Sequence, residues 1–164
     1  MRVITIVFLL IVSFVGCSQD VISKLNGDKL NVTILKASET DVEFLYPGET
    51  VTQIISKKLV QSILYKSGRE EKINEKVRVF SESDYYLVTI TMEEKEVAGL
   101  RRIADISAKQ SVPYGGRTKL REKALVKLKK ESAVIGGHII LLQSDEFSNS
   151  PINTVSLSGV AYGY

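Results

Sequence analysis

From Asp20 to about Asn74, apolar and polar residues alternate in short runs broken by turn residues, a pattern that predicts β-strands paired as hairpins. Asp20 to Leu25 alternates first. Asn26 and Gly27 then supply the pair that a type I′ hairpin turn favours, and Leu30 to Lys36 returns with Leu30, Val32 and Ile34 set against Asn31, Thr33 and Leu35. Val42, Phe44 and Tyr46 line one face of a third strand, which Pro47 and Gly48 end. Val51 to Ile55 predicts a fourth strand, Ser56 to Val60 a tight hook, Gln61 to Tyr65 a fifth strand, and Arg69 to Ile73 a return after a turn at Ser67 and Gly68. Five or six strands of this length make a small β-barrel over residues 20–74, because closure removes exposed edges.

Residues 75–84 are charged and lack steady periodicity, so they read as a linker to a second unit, residues 85–164. There Tyr85 to Met92 alternates as a β-branched strand, Glu93 to Glu96 is a charged turn, and Ile103 to Val112 alternates again. Pro113-Tyr114-Gly115-Gly116 is a loop, and Thr118 is the expected N-cap of one long helix, Lys119 to Ile135. Leu120, Ala124, Leu125, Leu128, Ser132 and Ile135 fall on one arc of that helix, with Lys119, Lys123, Lys127 and Lys130 in an adjacent stripe. Gly136 and Gly137 stop it, since glycine takes the left-handed cap conformation readily. His138 to Gln143 and Thr154 to Tyr162 complete a ββαββ order. The expected fold class is α+β: a signal peptide, a small SH3-like β-barrel, then a ββαββ domain with one long helix on a sheet.

The start of the chain changes this picture. Met1 and Arg2 precede an apolar run from Val3 to Val15, and Gly16 stands before Cys17, the one cysteine. The run is shorter than the roughly 20 residues a membrane span needs and fits the h-region of a secretory signal. Its lipobox-like end predicts a lipoprotein signal peptide over 1–16, acylation at Cys17 and a short tether over 17–19. Several acyl chains anchor firmly where one is marginal, at about 0.8 kcal/mol per buried CH₂. Losing Arg2 with the leader takes the formal charge from +3 to about +2, a balance that argues against a nucleic-acid partner. With Cys17 acylated, no thiol is left for a disulfide or a thiolate metal ligand.

The run Leu25-Asn26-Gly27-Asp28, then Ile54-Ile55-Ser56-Lys57-Lys58-Leu59-Val60 leading into Ile63-Leu64-Tyr65-Lys66-Ser67-Gly68, resembles the small SH3-like or Sm-like barrels at the front of many Bacteroidota envelope proteins. The stretch from Lys119 to Ala133, followed by Ile135-Gly136-Gly137-His138 and Ile139 to Leu142, is similar to the helix-to-strand core of the α+β domain in the Rcs-type outer-membrane stress-sensing lipoproteins. The first resemblance implies a barrel and the second an α+β layer. The bridging cysteines of the stress sensors have no counterpart here, so the second implies fold and not a sensor role.

Candidate chemistry is sparse. His138 is the one histidine and has no second imidazole or thiolate with which to form a zinc site. No G-x-S-x-G elbow accompanies it, although an envelope hydrolase with a site near His138 is one alternative. The acidic pairs Glu70-Glu71, Glu93-Glu94 and Asp145-Glu146 are expected in turns, where solvated charge is the default. Gly115 and Gly116 precede the helix without the Gly-Lys-Ser/Thr ending of a P-loop. No catalytic residue, metal or cofactor is assigned. Lys119, Lys123, Lys127 and Lys130 form a candidate lipid-contact surface, at about 1 kcal/mol per cation near an anionic leaflet. Tyr46, Tyr65, Tyr85, Tyr86 and Tyr114 are candidates for a partner patch.

The expected function is a non-enzymatic binding, adaptor or envelope-sensing role for a lipoprotein held to the membrane through acylated Cys17, with an envelope protein as candidate partner. A direct anionic-lipid or glycolipid binder using the lysine face is the other alternative. Ser18 and Gln19 after Cys17, in place of the aspartate that retains many lipoproteins in the inner membrane, point by resemblance to the outer membrane.

Overall fold

The computed structural model describes residues 19–79, 81–113, 116–149 and 151–164. The expected signal peptide, Cys17, Tyr114 and Gly115 lie outside them. Among the described residues no helix is long and apolar enough to cross a membrane.

Six antiparallel strands form the first sheet: β1 (Asp20–Lys24), β2 (Lys29–Ala37), β3 (Asp41–Leu45), β4 (Gln53–Ser56), β5 (Val60–Leu64) and β6 (Glu70–Lys72). Their spatial order is β4-β3-β2-β1-β5-β6. Ile22, Val32, Val42, Phe44, Val60 and Ile63, the inward half of the alternation, form its core. β4 and β6 are not hydrogen-bonded to each other, so the sheet is open and the expected closure is not seen. Its edges are instead short, four and three residues, which is another way of denying a foreign strand a template. Asp20, buried at the start of β1, accepts from Ile34 N–H at 2.9 Å and Lys66 N–H at 2.7 Å, tying β2 and the β5–β6 turn to one carboxylate.

The first hairpin departs from the type I′ expectation. Only Gly27 has a positive φ, 96°; Gly27 N–H bonds Lys24 O at 3.0 Å and Lys24 N–H bonds Asp28 O at 2.8 Å. That is a three-residue loop, a type I turn followed by a glycine bulge, so Asn26 keeps an ordinary backbone. Its side chain accepts from Asp28 N–H at 3.0 Å. Tyr65 to Arg69 repeats the turn around Gly68.

The second sheet is β7 (Thr89–Thr91), β8 (Arg101–Val112), β9 (Ile139–Ser148) and β10 (Asn153–Gly163), in the order β7-β9-β10-β8, with β7 parallel to β9 and the other pairs antiparallel. Helix α1 (Arg117–Val134) packs across β8 and β10. The sequence order is ββαββ, and the protein is α+β with one long helix. Leu120, Ala124 and Leu128 of α1 meet Ile106, Ile140 and Leu157 of the sheet. The N-cap is Gly116 rather than Thr118, which lies inside the first turn, and Ile135 is the C-cap, 38% exposed instead of buried in the apolar arc. Gly137 N–H to Ser132 O and Gly136 N–H to Ala133 O, with Gly136 at φ 74°, close a Schellman cap.

The strand expected over Tyr85 to Met92 is overturned in its first half. Glu82–Leu87 is a 3-10 helix, begun by the reciprocal Ser81–Asp84 capping box, and extended backbone starts at Val88. Tyr85 and Leu87 pack on the α1 core while Tyr86 is exposed, so the apparent alternation was one turn's inside and outside. Within the charged 75–84 stretch, Val79 is buried in that same core and Val77 packs against it. The sheet face away from α1 is covered in part by residues 93–100, where Val97 and Leu100 pack on Ile139, Leu141 and Tyr162.

Candidate functional site

Residues 93–100 are also the seam between the two sheets. Glu96, buried in a 3-10 turn, is bonded by Lys58 Nζ at 2.7 Å from the hook after β4. Burial pushes the Glu96 carboxyl up, but the Lys58 ammonium, Thr91 and Lys95 together outweigh it and hold the pKa below the ordinary carboxylate value. Asn26 at the first hairpin reaches Gly99 O at 3.4 Å, and Asn74 binds the hook by donating to Lys57 O and Val60 O, both at 2.6 Å.

Beside this seam lies a cleft of about 520 Å³. Leu25, Lys58 and Asn74 line it from the first sheet, and Leu87, Ile90, Ile139, His138 and Tyr164 from the second. Its size falls in the range of small-ligand clefts, and its lining mixes apolar side chains with Lys58, Lys129, Glu75 and Glu96.

His138 sits in this cleft because the Gly136–Gly137 cap delivers it to the start of β9. Its N–H bonds Tyr162 O at 2.7 Å and its carbonyl accepts from Thr89 N–H at 3.0 Å, so its backbone is held on both sides. The ring stacks on Tyr164 with centroids 4.2 Å apart. Nδ1 is buried without a hydrogen-bond partner among the described residues. Burial pushes the imidazole pKa down, the backbone of Val77 and Gly136 opposes that, and Lys76 adds to the fall. The net effect favours the neutral imidazole. Among the described residues no serine or cysteine lines the cleft; Thr89 and the Tyr164 phenol are its hydroxyl-bearing side chains. No group of three or more potential metal-ligating side chains occurs among the described residues.

Lys119, Lys123 and Lys127 are exposed along α1. Lys130, expected with them, turns to the 3-10 helix instead: it bonds Glu82 at 2.9 Å and lies 5.6 Å over the Tyr85 ring. The Glu82 contact raises its pKa above the usual ammonium value. Two of the acidic pairs stand on strands and not in the expected turns, Glu70–Glu71 in β6 and Asp145–Glu146 in β9; Glu71 accepts from Tyr65 O–H at 2.9 Å, Glu93 meets Lys95 at 3.1 Å, and Asp145 pairs with Arg121 of α1. Tyr46 and Tyr65 pack on the first core and Tyr85 on the second, so among the described members of the expected patch Tyr86 is the strongly exposed one; Tyr114 lies outside the described residues. The cleft residues Asn74, Lys58, Glu96 and Tyr164 carry no motif; the usable signal was Val97 and Leu100, two large apolar residues flanking a charged turn with no strand to serve.

Compared with known proteins, the chain matches no family model, no curated protein and no solved structure.

Proposed function

We propose that this chain is a lipid-anchored envelope protein that binds a partner through the cleft between its two sheets, without catalysing a reaction. The observation that carries the anchoring is the order of residues at the start of the sequence: Met1-Arg2, the apolar run to Val15, then Gly16 and Cys17. Support for binding comes from the volume of the cleft and from its lining of apolar side chains together with Lys58 and His138. On this reading residues 20–74 are an SH3-like module, supported by the strand order and by the 3-10 turn Lys57–Leu59 that delivers the chain into β5. The module stands next to the lipid, the α+β unit stands beyond it, and the outer membrane is the expected location.

A fatty-acid probe fed to cells making the full chain should label it, and Cys17→Ser should abolish the label and leave the leader uncleaved by the lipoprotein pathway. Label persisting on the serine variant rejects the anchor. In membranes, a photo-crosslinking side chain at Lys58, on the cleft, should give a discrete adduct that one at exposed Glu49 does not. Identical adducts from both positions remove the cleft as the binding site.

A further inference from the structure

Three of the four sheet edges are short: β4 has four residues, and β6 and β7 have three each. β8 is the exception. It runs twelve residues and, among the described residues, hydrogen-bonds along one side only, to β10. A long edge strand presents a row of unpaired N–H and C=O groups to any strand that fits, and proteins usually blunt such edges by shortening or bulging them. The irregularity in β8–β10 pairing lies near one end, between Ala161 and Tyr162, so the ladder from Ala104 to Val112 is regular. Regular backbone of that length is a template.

We propose that β8 is a self-association edge: a second copy of this chain pairs with it antiparallel about a two-fold axis through Ser107, joining two four-stranded sheets into one of eight strands. A two-fold pairing requires that when residue i faces j, j also faces i, so the strand must complement itself. Centred on Ser107, Asp105 of each copy lies opposite Lys109 of the other, giving two cross-strand ion pairs on the face away from α1. Both residues are exposed. Ile106 lies opposite Ala108 on the helix-covered face, continuing the buried layer across the join with one large and one small side chain. Moving the centre to Ile106 sets Lys109 against Ile103, and moving it to Ala108 sets Lys109 against Ser107; either loses both ion pairs. Arg102 already bonds the Asp105 carboxylate within its own strand, so Lys109 of the second copy completes a three-charge cluster. The occupant is a second copy rather than a foreign strand because the charge pattern matches itself in one register.

The test is the oligomeric state of the full chain in detergent micelles, by sedimentation velocity. The parent should show a concentration-dependent dimer. Lys109→Asp places like charges opposite each other twice and should weaken dimerisation by about tenfold or more; Asp105→Lys combined with Lys109→Asp reverses both partners and should restore it. Since both side chains are exposed, folding of each variant can be verified by circular dichroism. As an independent reading, Ser107→Cys should form a covalent dimer under mild oxidation beyond anything Cys17 gives in the parent. A parent that is monomeric at all concentrations, or a dimer indifferent to Lys109→Asp, overturns the proposal; the first outcome would leave β8 open to a strand from another protein.

Discussion

His138 enters β9 with its backbone bonded on both sides, its ring packed on Tyr164 and its Nδ1 buried. Burial therefore depresses its pKa below the ordinary histidine value of about 6.5. Between the folded value and about 6.5 the unfolded chain binds a proton that the folded chain does not, so stability is full above that window and falls as the pH drops through it. The parent should lose more stability between about pH 7.5 and pH 5 than His138→Gln does, measured by urea denaturation at both values. Equal losses would mean that the ring titrates as it does in the unfolded chain. The residue itself could be singled out from the sequence, as the one histidine. The depression of its pKa could not, because the burial that causes it comes in part from the Tyr164 ring, 26 residues further along the chain.

Turns and caps illustrate how far an element announces itself. Gly27, Gly48, Gly68 and Gly136 all stand where the backbone takes a positive φ, and each ends a periodic run in the sequence. Turn type was harder: Asn-Gly is compatible with both a two-residue loop and a bulged three-residue loop, and cross-strand register decides between them. The helix end offers a direct contrast. At Gly136, a Cβ would meet nothing within 4 Å, so Gly136→Ala should cost only the strain of the left-handed backbone, about 1–2 kcal/mol. Gly137 has no such φ, but a Cβ there would stand 2.3 Å from Ser132 Oγ and 3.1 Å from the Ala161 methyl, between the last turn of α1 and β10. Gly137→Ala should cost more than Gly136→Ala, and Ser132→Ala should rescue part of the loss at Gly137 and none at Gly136. A double-mutant cycle by chemical denaturation checks this, and additivity at both glycines would reject the contact.

At the scale of the molecule, α+β class, strand–helix order and the two cores were legible because periodicity reports which face of an element is apolar. It does not report what that face meets. The seam depends on Lys58 with Glu96 and Asn26 with Gly99, pairs separated by 38 and 73 residues, and no local pattern encodes them. The same limit hides the role of residues 75–84. Their charge reads as a linker, yet Val79 is buried in the α1 core, Val77 packs beside it, and the Ser81–Asp84 capping box starts the 3-10 helix that receives Lys130. A fragment covering 84–164 would lose all three, while one covering 75–164 keeps them. Burial of a valine contributes about 1.5–3 kcal/mol, a sizeable share of the 5–15 kcal/mol that holds an ordinary domain together. The longer fragment should therefore unfold at distinctly higher urea, with slowly exchanging amides in β9 and β10, and the shorter one should be markedly less stable or lack a cooperative transition. Coincident denaturation curves for the two would show that the C-terminal core closes without these valines, and that the charged stretch acts as a linker after all.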